Sequence, residues 1–338
     1  MISLIKKVEF GTDLSRQEAE SAMEEILSGR LSEETIVALL AALRAKGETV
    51  AELVGFARAM RRHATPVFAN GTRPNGTLVD TCGTGGDSSG TFNISTAAAF
   101  VAAGAGVHVA KHGNRSISSK CGSADVLEAM GVSLDVPPER VGAAIHEIGI
   151  GFLFAPALHT AMRHAMPARR RLGRTAFNLL GPLTNPAGAR AQIAGVFSDK
   201  VVEKVALVLS ELGVERAFIV HGAGGLDEIS LAGETTVGDV HRDVVRIYQV
   251  TPEDFGLERS PLEAISGGDA AHNAGLIRAI LAGERSPRRD IVVANAAAAI
   301  VAAGRAPDFL EGAQLAAASI DSGAAGKKLD ALIGFANQ

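Results

Sequence analysis

The chain reads as an α/β protein: a small all-helical part at the N-terminus, then a larger part built on a parallel or mixed sheet covered by helices. Three observations predict it. Capping motifs and glycine stops divide the residues up to His63 into helices, a turn-rich linker follows, and from Thr77 short apolar runs alternate with helical ones. With 338 residues, 47% of them hydrophobic, the chain can bury a large core as one big domain or two ordinary ones, which excludes a disordered or fibrous protein.

Ser15 with Glu18 makes a capping box ahead of a run that stops at Gly29. Ser32 opens a second run over Thr35 to Ala45 that ends at Gly47, and Thr49 with Glu52 makes another capping box before Ala51 to His63. In such a box each side chain satisfies a backbone N–H that the helix leaves unpaired, so the pattern marks a helix start. Pro66, Asn70-Gly71 and Pro74-Asn75-Gly76 form the linker, a candidate domain boundary. Beyond it come a strand over Thr77 to Thr81, a glycine-rich loop, a helix over Ser95 to Ala103, a strand over Val107 to Ala110, a loop, and a helix over Ser123 to Met130. Pro138 to Glu147 reads as helix, Ile150 to Phe154 as strand, Val201 to Leu212 as helix and Ala217 to Val220 as strand, and roughly the last 70 residues read as mainly helical.

Charge and cysteine content narrow the function. Lys and Arg total 33 against 37 Asp and Glu, and a net charge of -4 gives no long-range pull toward nucleic acid or anionic lipid, so a polyanionic ligand has to be gripped locally. Cys82 and Cys121 are too few for a disulfide framework or a thiolate cluster. The stretch from Met1 to Leu14 lacks the apolar core of a signal peptide, which points to the cytoplasm. The most apolar stretches, Ser95 to Ala110 and Ile291 to Gly304, fall short of the ~20 residues that span a bilayer and read as buried helices. The chain has 38 glycines, only 4% aromatics and no Trp, a balance suited to close packing and to turns that approach phosphates.

Five segments carry chemistry. The strand into Gly83-Thr84-Gly85-Gly86-Asp87 ends in a loop whose glycines let successive N–H groups turn toward one point, an anion-binding nest that fits a phosphate or pyrophosphate. It is neither a Walker loop nor the G-x-G-x-x-G dinucleotide turn. Thr91-Phe92-Asn93-Ile94-Ser95-Thr96 then sets three hydroxyls and an amide beside a helix N-terminus, where free N–H groups favour an anion; ordinary capping by Asn93 or Ser95 needs only one of them. Lys111 to Lys120 holds three cations and several hydroxyls at the C-terminal end of a strand, the edge at which open α/β sheets bind ligands. His112 there is either a general base or a hydrogen-bonded neighbour. Asp227-Glu228, after a strand and a glycine turn, is either an Mg²⁺ pair of hard oxygens or a surface acidic turn. Arg169-Arg170-Arg171, ahead of Phe177 to Pro186, offers a fork for a carboxylate or is a solvated basic helix end.

In this order, GTGGD (Gly83 to Asp87), TFNIST (Thr91 to Thr96), VAKHGNRSISSKCGSADVLEAMGV (Val109 to Val132), FNLLGPLTNPA (Phe177 to Ala187) and HGAGGLDEIS (His221 to Ser230) resemble the anthranilate phosphoribosyltransferases over nearly the whole chain. The resemblance implies transfer of a 5-phosphoribosyl group from phosphoribosyl pyrophosphate to the amine of anthranilate in tryptophan biosynthesis, giving N-(5-phosphoribosyl)anthranilate and pyrophosphate. It implies that Gly83, Gly86, Asp87 and Thr91 line the donor site, that Asn93, Ile94, Ser95 and Thr96 lie on its phosphates, and that Lys111, His112, Gly113, Asn114, Arg115, Ser116, Ile117, Ser118, Ser119 and Ser123 complete it. By the same carry-over, Ser95, Asp227 and Glu228 hold Mg²⁺, while Gly83, Asn114 and Arg169 touch anthranilate.

The fold implied is of the nucleoside phosphorylase and phosphoribosyltransferase type, a small helical domain beside a large α/β domain with a mainly parallel sheet. Its helical domain spans residues 1–70 with a returning helical segment near 156–182; its α/β domain spans 75–155 and 185–338. A homodimer through the helical domain and an active site in a cleft that closes on substrates are implied as well, with neither nucleic acid nor membrane as partner. The aromatic amine is already unprotonated at neutral pH, so no catalytic acid or base is named. One departure stands out: the family's Leu-Gly-x-Arg-Thr-x-Phe-Asn is one residue short here, Leu172 to Asn178, which makes Arg170 the alternative to Arg169 for the carboxylate. Two competing classes share the scaffold, a pyrimidine nucleoside phosphorylase and a non-catalytic nucleic-acid binder. The Asn114-Arg115 and Asp227-Glu228 pairs argue against the first, and the lack of a broad basic face argues against the second.

Overall fold

A computed structural model of the chain describes residues 1–68, 73–87, 89–116 and 120–338. The N-terminal part is helical: α1 (Ile2–Glu9), α2 (Arg16–Leu27), α3 (Glu33–Lys46) and α4 (Val50–His63). Both capping boxes form, Ser15 with Glu18 and Thr49 with Glu52, and Ser32 accepts from Thr35 N–H. The helix α1 has no such motif, since Met1 supplies no side-chain cap, and the sequence reading passed over it. Glu52 is buried, where its carboxylate takes the N–H groups of Leu14 and Thr49 and the ammonium of Lys46, so one acid ties the start of α4 to the loop before α2.

The alternation predicted from Thr77 follows as β1 (Leu78–Gly83), α5 (Ile94–Gly104), β2 (His108–Gly113), α6 (Ser123–Ala129), α7 (Pro138–Glu147) and β3 (Ile150–Phe154). Next come the short helices α8 (Ala155–Leu158), α9 (Met166–Leu172) and α10 (Ala176–Leu180), then β4 (Ala191–Gly195), α11 (Val202–Glu211) and β5 (Arg216–Gly222). The hairpin β6 (Thr235–His241) and β7 (Val244–Val250) leads into α12 (Ala270–Leu281), α13 (Pro287–Ala302), α14 (Phe309–Asp321) and α15 (Ala324–Ala336).

Among the described residues the strands form one seven-stranded sheet in the order β3-β2-β1-β4-β5-β6-β7. The first five are parallel and the last two antiparallel. Most of the sheet and helices α5, α6 and α12 to α15 share one apolar cluster, and the Ala-rich helices α5 and α13 pack closely because they carry few bulky side chains. A second cluster runs from Leu39, Phe56 and their neighbours in the N-terminal helices through α9 and α10 into Val205, Leu209 and Ile219 of α11 and β5. No helix among the described residues is long and apolar enough to cross a membrane.

Candidate active site

Because β1, β2, β4 and β5 are parallel, their C-terminal ends, Gly83, Gly113, Gly195 and Gly222, lie on one edge of the sheet and the loops leaving them converge. Gly85 and Gly86 adopt φ of +63° and +78°, a region that side-chain-bearing residues rarely enter, and Gly85 N–H donates to Asp227 Oδ2 at 3.0 Å. Thr84 N–H donates to Gly195 O at 2.8 Å and Thr84 Oγ1 accepts from Phe197 N–H, so the loop after β1 is tied to the strand beside it. Gly195 allows the closest approach in the site: a Cβ there would stand 1.6 Å from the Asp227 carbonyl oxygen.

At the start of α5, Asn93 occupies the N-cap position but makes no capping bond. Ser95 N–H instead donates to Glu228 Oε1 at 3.1 Å, which joins the TFNIST segment to the loop after β5. Asp227 and Glu228 are both partly buried. Burial, with the charge of Asp87 next to it, pushes the Asp227 carboxyl up to about 7; burial and then the Asp227 charge push Glu228 up to about 8. The pair is held by Asn295 of α13, a buried amide that brackets the next residue by accepting from Ile229 N–H at 2.9 Å and donating to Ile229 O at 3.1 Å.

These acids suit a divalent cation. Asp87 Oδ2 is buried without a hydrogen-bond donor, and three neighbouring carboxylates are short of positive charge, the condition hard oxygen ligands present to Mg²⁺. Among the described residues no three His, Cys, Asp or Glu side chains form a ready-made metal cluster. An ion here would therefore take further oxygens from a substrate and water, as Mg²⁺ commonly does.

Lys111 is buried beneath the loops. Its ammonium donates to Thr81 O at 2.5 Å and Ser95 Oγ at 3.3 Å, and burial pulls its pKa down while the acids around it, Asp80 foremost, oppose the shift. Burial likewise raises the Asp80 carboxyl to about 6; its Oδ1 accepts from His112 N–H. The His112 ring is buried 5.1 Å from that of His159, and burial holds His112 near 3 and His159 near 4, so both imidazoles are neutral at pH 7. The three cations expected in the segment from Lys111 to Lys120 are Lys111, Arg115 and Lys120; of these, Lys111 is buried and Arg115 is paired with Asp125 and Glu128, so neither is the freely displayed charge that the row of residues suggests.

Asn114 is exposed; its Oδ1 accepts from Arg115 N–H, and its own N–H donates to Ser123 Oγ. The Arg115 guanidinium is engaged by Asp125 and Glu128. Ser116 N–H donates to Asp125, while Ile117, Ser118 and Ser119 lie outside the described residues. On α9, Arg169 is half-buried with its guanidinium 5.3 Å from the centre of the Phe177 ring, and burial lowers its pKa; Arg170 and Arg171 are exposed. Sequence reasoning missed Arg174, which follows Gly173 in the shortened turn, lies over Phe197 at 4.1 Å and donates to Gly86 O at 2.5 Å. It missed Asn295 too, since one Asn inside an apolar helix carries no motif.

Residues 2–64 match the glycosyl transferase family helical bundle domain, and residues 75–326 match the a/b domain of that family. An anthranilate phosphoribosyltransferase of Solibacter usitatus is 57% identical over 96% of this chain and 95% of its own. The crystal structure of the Thermus thermophilus anthranilate phosphoribosyltransferase superposes with a TM-score of 0.93 at 47% identity, covering 99% of each chain. The Saccharomyces cerevisiae enzyme in complex with PRPP and Mg superposes at 0.89 with 29% identity, over 99% of this chain and 97% of that one. Agreement of this extent in sequence and across both parts of the fold shows that the chain belongs to the anthranilate phosphoribosyltransferase family.

Proposed function

We propose that this protein transfers the 5-phosphoribosyl group of phosphoribosyl pyrophosphate to the amine of anthranilate, giving N-(5-phosphoribosyl)anthranilate and pyrophosphate. The observation that carries the reading is the meeting of the glycine loop, the uncapped start of α5 and the Asp227-Glu228 pair on one sheet edge, linked by Gly85 N–H to Asp227 and Ser95 N–H to Glu228. In the reaction the bond from ribose C1 to pyrophosphate breaks as the amine nitrogen bonds to C1, and negative charge collects on the leaving group. The glycine loop and the start of α5, through those backbone N–H groups not already given to Gly195, Phe92, Asp227 and Glu228, and with Lys111 behind them, would bind and orient that group, and oriented dipoles stabilise charge there without reorganising. Asp87, Ser95, Asp227 and Glu228 would hold Mg²⁺, which when bound neutralises pyrophosphate charge.

For the acceptor, Arg169 offers its fork to the anthranilate carboxylate, with Asn114 and Gly83 beside the ring. Arg169 has no carboxylate partner of its own among the described residues, whereas Arg171 pairs with Glu33. Closure of residues 1–70 and the segment near 156–182 over residues 75–155 and 185–338 would keep water from competing as nucleophile. The reading includes a homodimer through the helical part and a cytoplasmic location. Loss of anthranilate fluorescence on adding phosphoribosyl pyrophosphate and Mg²⁺ tests it: folded protein that leaves the fluorescence unchanged with fresh donor refutes the function.

A further inference from the structure

An asparagine at a helix N-cap ordinarily turns its side-chain oxygen back onto the free N–H groups of the first turn. Asn93 stands at the N-cap of α5 and does not. Its amide is held elsewhere at both ends: Oδ1 accepts from Nδ2 of Asn273 at 3.0 Å, and Nδ2 donates to Cys121 O at 3.1 Å. Asn273, on α12, is 1% exposed, and its own Oδ1 accepts from Gly268 N–H at 2.7 Å.

The direction of this relay is forced. Gly268 N–H can only donate, which turns Asn273 Oδ1 toward it and Nδ2 toward Asn93; Cys121 C=O can only accept, which turns Asn93 Nδ2 toward it and leaves Oδ1 for Asn273. The segment bearing Asn273 is also fixed by main-chain contact. Gly267 N–H donates to Gly90 O at 2.9 Å, Thr91 bridges Ser266, and a Cβ on Gly267 would stand 2.5 Å from Phe92 N.

We infer that Asn273 is a positioning residue of the donor site: by capturing the Asn93 oxygen it keeps that oxygen off the first turn of α5, where Ile94 N–H already donates to Phe92 O and Ser95 N–H to Glu228 Oε1, and so leaves Thr96 N–H to the phosphates of phosphoribosyl pyrophosphate. The inference rests on the proposed function and adds a residue more than 140 positions away in sequence from the loops that touch the donor. Without Asn273 as donor, the Asn93 oxygen swings onto the first turn of α5 and competes with phosphate for Thr96 N–H, the capping position three residues on.

The test is Asn273→Asp, which keeps the shape and the acceptor for Gly268 N–H but cannot donate to Asn93, with Asn273→Ala as a second variant in case the buried acid prevents folding. Steady-state constants per folded molecule and calorimetric titration with phosphoribosyl pyrophosphate and Mg²⁺ are measured alongside Asn93→Ala and the double variant. The expected result is a donor KM and Kd raised about 10-fold or more, with the anthranilate KM and kcat within about 3-fold of wild type. The double variant should be no worse for the donor than the worse single one, because both act through one bond. A lowered yield of folded protein with unchanged donor affinity, or donor losses that multiply in the double variant, overturns the positioning role. Wild-type protein that fails to bind the donor overturns the functional reading instead.

Discussion

His112 is the residue at which reading from sequence and from structure part most. Written as Lys111-His112-Gly113-Asn114-Arg115, the segment looks like a row of displayed donors, yet β2 runs three residues further than predicted, to Gly113, and carries Lys111 and His112 into the interior. Nothing in the spacing reveals that, because burial of a cation depends on what folds over it. The consequence is measurable. An imidazole whose folded pKa lies below its unfolded value of 6.5 contributes stability that is present above pH 6.5 and is lost as pH falls toward the folded values, about 3 for His112 and about 4 for His159. Each should remove about 2 kcal/mol of unfolding free energy between pH 7.5 and 5. Denaturant unfolding of His159→Gln over that range should show a slope smaller by one proton; an unchanged slope would mean the ring is already protonated or exposed. For Arg169 the residue type alone suggests the carboxylate contact, and the register is what a second comparison checks. Arg169→Ala should raise the anthranilate KM about 10- to 150-fold, the cost of a charged hydrogen bond, with little change for the donor, while exposed Arg170→Ala stays near wild type. The reverse pattern would shift the carboxylate contact by one residue.

At the scale of elements, helices with a start signal were readable: α2, α3 and α4 begin where Ser15, Ser32 and Thr49 place them. β4 was invisible because Ala191-Gln192-Ile193-Ala194-Gly195 is buried on both faces and so shows no alternation. β6 and β7 alternate only in part and join through Arg242 at φ +55°, with no Asn-Gly turn to announce a hairpin. Yet β4 is the strand on which the carboxylate loop rests. Its last residue, Gly195, lies so close to Asp227 that any Cβ must move the chain at Asp227, and Gly83 on β1 leaves only 3.0 Å to Asp227 Oδ2. Gly195→Ala should therefore displace the carboxylate pair, raising the Mg²⁺ concentration for half-maximal activity about 10-fold or more and lowering kcat, the loss expected when an oriented charged contact is misplaced. A titration with Mg²⁺ that superposes on wild type would show that the loop after β5 is held without β4.

On the scale of the whole molecule, the linker at Pro66 to Gly76 suggests two lobes, and the two family domains matched fall on either side of it. Packing argues that they melt together. The apolar cluster of the N-terminal helices has no boundary at the linker: Phe56 and Leu53 of α4 belong to the same cluster as Val205 and Leu209 of α11, with Ile219 of β5 behind them. Polar ties reinforce the join. Arg61, buried enough that its pKa falls to about 10, donates to Leu183 O and Leu212 O, and Arg16 pairs with Glu211. Helices α1 to α4 alone would expose the apolar face that now meets α11, and short helices draw most of their stability from such packing rather than from propensity. Calorimetry should accordingly give one cooperative transition for the whole chain. Phe56→Ala, which empties a fully buried aromatic site at the join, should cost about 3–5 kcal/mol and lower the temperature of that single transition without splitting it. Two resolved transitions in the wild type, or a Phe56→Ala protein in which only an N-terminal transition moves, would show that the lobes unfold independently and that the shared cluster is a contact between two separate cores.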